Sequence, residues 1–555
     1  MRSETASLLE TLKQRGAHIA MRWKRYGIWQ TVSSAAMATR VTSLAHGLRA
    51  IGLKDGDVAG MIGDNCAEWV LADLAIVAAG GISAGFDAQS DFDELARLLN
   101  ETRTRILFVA GDVQLHKAMT VRGRCPDLQT IVVMHQQWDD GTEATAAMPF
   151  AELETTADSG ANALPARDAD APAFIIYTSG MTGPARGAIL SGRAVATQAA
   201  RAADALGLTQ SDERLSLIPI HHALERVVGI QASLLAGTIV NFSESRETAL
   251  ANLVELQPTV LLAPPQLWAK LKGGIELAML ESTGFQRWAC RKAFAGGGGG
   301  VADWLVLAPI RRRIGLSRAR LCLCGGAPMR DDVVAWFETL GRPLTDIYGH
   351  AETGGAVALG GRALDGHRFD LDDGGLRVSS DTLFIAYVGH DAAASSGAWA
   401  SDDIATRDGS ALRVVGRRDH LLGDAAAPFA AERKLAASPF IADAFLHRHP
   451  DDRVIAHILM ESDAVVKYAQ DKSIPFTHFL SLCRSDDIRA LIGHVVAETN
   501  ATSDIKIADF VLIERALGPD DAEVSPALAL RRHKLRDDPS DRAKDAAMLS
   551  TLETT

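Results

Sequence analysis

An α/β fold is predicted, built of several packed subdomains. Three observations predict it. Short apolar runs alternate with segments of helical spacing through the first half, the pattern of a parallel sheet with helices on its faces. The chain has 555 residues, enough for three or four structural units. Hydrophobic residues make up 47% and charged residues 23%, so large cores can be buried.

Taken in order, residues 21–32 (MRWKRYGIWQTV) mix Trp23 and Trp29 with Arg22, Lys24 and Arg25, and read as an amphipathic surface segment. Apolar residues at Val41, Leu44, Ala45 and Leu48 predict a helix over 38–51, ended by Gly52, and Asp55-Gly56 predicts a turn. Strands are expected at 58–62, 106–109 and 131–134, and helices at 68–80 and 94–100. Residues 139–170 are polar, alanine-rich and weakly periodic, and read as a surface connection.

The segment 174–187 (FIIYTSGMTGPARG) is a short buried strand followed by a loop of small, hydroxyl-bearing and turn-forming residues. Glycine lacks the Cβ that would keep backbone N–H groups away from a phosphate, and Arg186 adds a fixed positive charge. A Gly/Ser turn after a strand would look the same, and the Gly-Lys-Ser/Thr of a Walker loop is absent. Beyond it, a helix is expected at 194–206 and a strand at 215–220, ending in His221-His222-Ala223-Leu224-Glu225-Arg226. Paired histidines there could be packed, could be acid–base groups or could be ligands. A zinc site is disfavoured because no partner ligands stand at suitable spacing. PTVLLAPPQLW (258–268) reads as a buried strand stopped by two prolines. The glycine run 296–300 carries no motif. LCLCGGAPM (321–329) is a strand entering a Gly-Gly turn. Cys322 and Cys324 share one face of it, as core residues do.

These segments resemble the adenylate-forming superfamily, which includes acyl-CoA synthetases, luciferases and peptide-synthetase adenylation domains. The likeness is greatest to bacterial long-chain fatty acyl-CoA synthetases and runs over nearly the whole chain. The loop at 178–187 is similar to that family's TSGTTGxPKG, with Met181 for a threonine and Arg186 for the lysine. IPIHHALERV is similar to its PLSHALER, which puts His222 in the acyl pocket. Gly325, Gly326, Ala327 and Pro328 fall on its adenine-side loop. DIYGHAETGG (346–355) is similar to its YGxTE, with Tyr348 against adenine, Glu352 holding Mg²⁺ and Ala351 where a hydroxyl would touch the α-phosphate. Trp399 to Asp403 falls on a WxxTGD pattern, so that Asp403 and Arg417 would contact the ribose. Asp402, in place of glycine, adds negative charge there.

The resemblance thus implies ATP, Mg²⁺ and coenzyme A, with a fatty acid or related carboxylate as substrate. It implies a catalytic set of Thr178, Arg186 and Glu352, and nucleotide contacts at Ser179, Gly180, Thr182 and Gly183. It divides the chain into a large nucleotide-binding N-terminal region of packed subdomains, 1–417, and a small, mobile α+β C-terminal lid, 418–555. The lid departs from the family. Asp419 and His420 stand near the hinge, the loop at 423–427 is short and lacks lysine, and EVSPALALRRHKL has Ala529 in place of the lysine that bridges carboxylate and α-phosphate. Arg531 is a candidate to stand in. Two readings follow: an ATP-dependent acyl-CoA ligase, and a degenerate relative that binds without turnover or serves as a partner subunit.

The net charge of −12, without a basic block, disfavours nucleic-acid binding. Six cysteines in so long a chain do not make a disulfide framework. The N-terminal MRSETASLLE is not a secretory signal, and no apolar run reaches the ~20 residues of a membrane span. A cytoplasmic location is expected, with peripheral membrane contact left open by the lipid substrate.

Overall fold

In the computed structural model, the structure describes residues 4–135, 147–156, 164–178, 180, 183–280, 282–295, 300–372, 375–390, 397–409, 411–422, 428–515, 517, 521, 523–524 and 530–536. Two large sheets dominate. The first has eight strands side by side: Ala386–Tyr387, Gly187–Ser191, Pro172–Tyr177, Ile82–Phe86, Val58–Ile62, Ile106–Val109, Thr130–Val133 and Met148–Pro149. From Pro172–Tyr177 to Met148–Pro149 neighbours run parallel, as the strand–helix alternation predicts. The second sheet has nine strands and places Glu213–Leu215, Val260–Ala263, Leu321–Gly325 and Leu344–His350 in parallel at its centre. One core cluster joins the two sheets, through Phe174, Ile176 and Leu190 from the first and Leu262, Leu323 and Ile347 from the second.

A four-stranded antiparallel sheet follows, carrying Ala398–Asp408 and Ala411–Arg417. The last part of the chain builds a three-stranded sheet, Ile441–Arg448, Val454–Met460 and Asp509–Leu512, with helices over it and a core of its own.

Several local expectations change. Residues 21–32, read as an amphipathic surface segment, belong to an antiparallel hairpin, Ile19–Arg25 with Ile28–Ser33, at the edge of the nine-stranded sheet. Its tip, Tyr26-Gly27, has φ of +51° and +74°, and two such residues match the twist of paired strands. The connection 139–170 contains the helix Phe150–Thr155, which buries Phe150 and Leu153 while Glu154 pairs with Arg40 at 2.8 Å. The strand expected at 215–220 stops at Leu215. Beyond it, Asn65 donates to the Ile218 carbonyl and accepts from the Ile220 N–H, so backbone groups 218 and 220 pair with a side chain instead of a strand. Pro265 opens the helix Pro265–Leu280 rather than merely ending a strand, which places Trp268 on that helix; proline suits a first helical turn, where its missing N–H is not needed.

Candidate functional site

The segment after Leu215 turns each of its polar residues to a different neighbour. His222 lines a cavity of about 600 Å³. Its Nδ1 accepts the Leu224 N–H at 3.3 Å, which leaves Nε2 as the protonated nitrogen. Burial, then the positive potential of His221 and His350, pushes its pKa down to about 4, so the ring is neutral at pH 7. Three residues on, Glu225 accepts from Arg214 at 2.7 Å and Ser216 at 2.6 Å, both near the end of a strand of the nine-stranded sheet. Arg226 points the other way. It donates to Asp73 at 2.6 Å and to Ser83 and the Ile175 carbonyl at 2.7 and 3.0 Å, all belonging to the eight-stranded sheet or its covering helix. The rings of Trp69 and Phe174 flank its guanidinium. Glu225 and Arg226 are almost completely buried. The backbone that carries them is π-helical over Leu224–Gln231, a widened helix often found beside functional sites.

The loop after Pro172–Tyr177 is closed at its base. The Thr178 N–H donates to the Arg186 carbonyl, and the Thr178 hydroxyl accepts the Arg186 N–H, both at 3.0 Å. Gly180 takes φ +61°, which a residue with a Cβ enters at a cost. Thr178, Gly180, Gly183 and Arg186 line the cavity. Ser179, Met181 and Thr182 lie outside the described residues. The Arg186 guanidinium stacks 4.4 Å over the Tyr387 ring, and the Tyr387 hydroxyl donates to Glu352 at 2.6 Å. Arg186 and Glu352 both line the cavity, and Tyr387 links them. Glu352 is 3% exposed, and the Ala351 side chain beside it carries no donor.

The strand Leu344–His350 supplies Asp346, Tyr348 and His350, all on the same cavity. Tyr348 donates to Asp403 at 2.6 Å, and His350 Nε2 lies 2.7 Å from both that hydroxyl and the same carboxylate oxygen. Burial opposes the charge on Asp403, but His350, then Arg417, then the Tyr348 hydroxyl outweigh it and hold its pKa below the usual value. Burial likewise opposes the charge on His350, and Asp403 with Glu352 raises its pKa nevertheless. Asp346 faces the cavity, and the protein around it pushes its pKa up to about 6.

Asp403 and Arg417 are paired across adjacent strands. Arg417 lies 3.7 Å from Asp403, 3.5 Å from Asp402 and 3.6 Å from Asp419. The extra charge of Asp402 therefore has a cation next to it, which offsets the repulsion expected from the sequence.

Gly326, Ala327 and Pro328 also line the cavity. Gly325 stands behind them, where a Cβ would come within 2.7 Å of both Ile347 and Leu224. Its glycine is demanded by packing. Arg531 does not line the cavity; it is 9% exposed and lies 3.6 Å from Asp87. Arg532 holds Glu432 at 2.7 and 2.8 Å. Ala529 and the lid loop 423–427 lie outside the described residues, as do 296–299 of the glycine run. Cys322 and Cys324 are core residues. Among the described residues, the side chains grouped closely enough to share a metal ion are Cys66, Glu68 and His135, and His222 is not among them.

His350 and Tyr387 are the functional candidates that sequence reasoning missed. His350 could have been found, since it sits between Tyr348 and Glu352. Tyr387 lies in a stretch without motif and carries no such signal.

Comparison with known proteins places the chain. A family model described as AMP-binding enzyme matches residues 8–377. A long-chain-fatty-acid–CoA ligase of Mycobacterium bovis, FadD15, is 25% identical, covering 91% of this chain and 90% of that protein. The human long-chain-fatty-acid–CoA ligase ACSBG2 is 23% identical over 62% of this chain and 55% of its own length. Among solved structures, the A domain of a carboxylic acid reductase from Segniliparus rugosus, in complex with AMP and a co-purified carboxylic acid, superposes with a TM-score of 0.80 at 16% identity, over 99% of this chain and 94% of that one. A benzoate CoA ligase from Burkholderia xenovorans LB400 gives 0.75 at 16% identity, over 97% and 100%. With the fold shared along the chain and the family model spanning most of it, this protein belongs to the AMP-binding enzymes, the adenylate-forming superfamily.

Proposed function

We propose that the chain is a long-chain acyl-CoA synthetase-like protein whose adenylation centre is weakened. One observation carries this reading: a single cavity of about 600 Å³ gathers Thr178, Gly180, Gly183, Arg186, His222, Tyr348, Glu352, Asp403 and Arg417 from segments far apart in sequence. In the reaction, a fatty carboxylate oxygen attacks the α-phosphorus of ATP and pyrophosphate leaves. The sulfur of coenzyme A then attacks the acyl carbon and AMP leaves. Coenzyme A enters this reading from the relatives alone, as does the long chain.

The chain's own residues would divide the work. Thr178, Ser179, Gly180, Thr182 and Gly183 would hold the phosphates, with Arg186 as the nearby cation. Asp403 and Arg417 would take the ribose hydroxyls, Tyr348 and the 325–328 turn the adenine, and neutral His222 the acyl side. Glu352 fits Mg²⁺ as a hard carboxylate on the cavity wall, and bound Mg²⁺ would neutralise phosphate charge. The domains divide at about residue 417, and a cytoplasmic location belongs to the same reading.

The weakening follows from three features: Ala351, Ala529, and an Arg186 engaged with the Tyr387 ring. A preorganised cation at a reacting centre is worth several kcal/mol, so its loss slows adenylation by about 10²–10³-fold. The same features favour a second reading, a relative that binds nucleotide or acyl group without turnover, as a regulatory or partner subunit. Pyrophosphate exchange over a panel of fatty acids, beside Mg-ATP thermal-shift titration, separates them. Slow exchange with a clear shift supports the first reading. A shift without exchange supports the second, and neither signal removes nucleotide handling altogether. Exchange as fast as that of an ordinary ligase would refute the weakening.

A further inference from the structure

Outside the lining of the cavity, the pair of helical segments Gly284–Ala295 and 300–313 presents an unusual surface. Ten large apolar side chains are exposed among the described residues, and five of them fall here: Phe285, Trp288, Val301, Trp304 and Leu305, from 54% to 74% exposed. The two segments contact each other. Phe285 and Trp288, three apart, share a helix face with ring centroids 5.8 Å apart. Val301, Trp304 and Leu305 have the same i, i+3, i+4 spacing. A soluble surface tolerates scattered apolar residues, but a cluster with two indoles implies something that covers it.

Charge identifies what covers it. The whole chain carries −12, yet residues 284–320 hold eight Lys/Arg and one Asp. Arg291, Lys292, Arg312 and Arg313 are exposed beside the apolar side chains. Lys292 Nζ lies over the Trp288 ring, 5.5 Å from its centroid. Indole and phenyl rings interleaved with basic residues match a bilayer interface, where rings settle at headgroup depth and cations meet anionic lipid. Each such cation adds to the attraction within a Debye length of the surface. No described helix is long and apolar enough to cross a membrane, so this contact would lie on the surface.

We propose that Phe285, Trp288, Val301, Trp304 and Leu305, with the basic residues around them, dock this protein on an anionic lipid bilayer. The surface delivers an acyl substrate that is scarce in water, but docking itself needs no ATP and no turnover. A silent ligase that still binds vesicles would leave it standing.

The test is flotation of the full chain with extruded vesicles of phosphatidylcholine alone or with phosphatidylglycerol, without nucleotide. Binding to the anionic vesicles is expected, released by raised salt, and at least about tenfold weaker on phosphatidylcholine. Trp288→Ser with Trp304→Ser should lower it about tenfold or more, and Arg312→Gln with Arg313→Gln should lower it and flatten the salt dependence. Both pairs are exposed, and unchanged thermal unfolding would show that the fold is intact. Tyr26→Ser with Ile28→Ser, at an exposed apolar pair outside the patch, should leave binding unchanged. Equal binding to both vesicles would overturn the proposal, as would binding indifferent to the tryptophan pair. So would a dimer that the tryptophan pair dissolves, in a chain that ignores vesicles.

Discussion

Glu225 and Arg226 form a seam between two sheets, while Arg186 and Arg417 stand on the rim of the cavity a short distance away. In the seam, opposite charges face each other in a dry interior and each guanidinium ends on a carboxylate. On the rim, one cation stacks on a tyrosine and the other is shared among three aspartates. The seam's charges are buried with their partners and hold the scaffold; the rim's charges line the cavity and are engaged with neighbouring protein groups. One set of charges thus fixes the framework while another stays open to the cavity.

The largest effect should come from breaking the seam. Arg226→Ala leaves Asp73 buried without its partner and should cost about 3–5 kcal/mol in urea unfolding, whereas Arg186→Ala should change stability by no more than about 1 kcal/mol. If the two variants unfold alike, the contrast fails.

On the rim, Asp403→Asn removes a charged acceptor shared by Tyr348, His350 and Arg417. Hydrogen bonds to charged groups contribute about 1.5–3 kcal/mol, so ATP affinity by calorimetry should drop roughly 10–100-fold. Unchanged affinity would remove Asp403 from the nucleotide site.

A smaller effect is expected with pH. The His350 pKa is raised above its ordinary 6.5, so its contribution is complete below 6.5 and lost as pH rises through the raised value. The Asp403 pKa is depressed below 3.8, so its contribution is complete above 3.8 and lost as pH falls through the depressed value. The pair is therefore most stabilising between pH 3.8 and 6.5. The stability difference between wild type and His350→Gln should be greatest in that window and shrink above it. A difference that grows from pH 7 to 9 would contradict the pairing.

The smallest change should follow Ala529→Lys. Restoring one cation while Ala351 and Arg186 remain should raise pyrophosphate exchange less than about tenfold, because residues that act as a unit do not contribute additively. A gain of a hundredfold would sharpen the comparison by tracing the weakness to that position alone.

Much of the scaffold was legible beforehand because its signals are local. Periodicity marked the strands at 58–62 and 106–109, which the structure reproduces residue for residue. The hairpin at 19–33 was not, since its identity depends on a tight turn at Tyr26-Gly27 and on pairing with a sheet edge. The strand expected to reach Ile220 ends early because Asn65, some 150 residues away, takes the backbone groups that would have continued it. The chemistry-bearing loop at 178–187 and the Tyr348–Glu352 segment were recognisable for the same local reason, as runs of residues whose types and spacing suit phosphate and metal.

By itself, then, the sequence determined the alternation of strands and helices, the positions of the Gly/Ser/Thr-rich loop and of the acidic and aromatic residues, and the alanines at 351 and 529. Tertiary structure alone decided that Glu225 and Arg226 grip opposite sheets, that His350 meets an aspartate 53 residues further on, and that Tyr387 joins Arg186 to Glu352. The physical reason is range. Turn chemistry and periodicity act over a few residues, whereas charge pairing and burial depend on which distant segments the fold brings together.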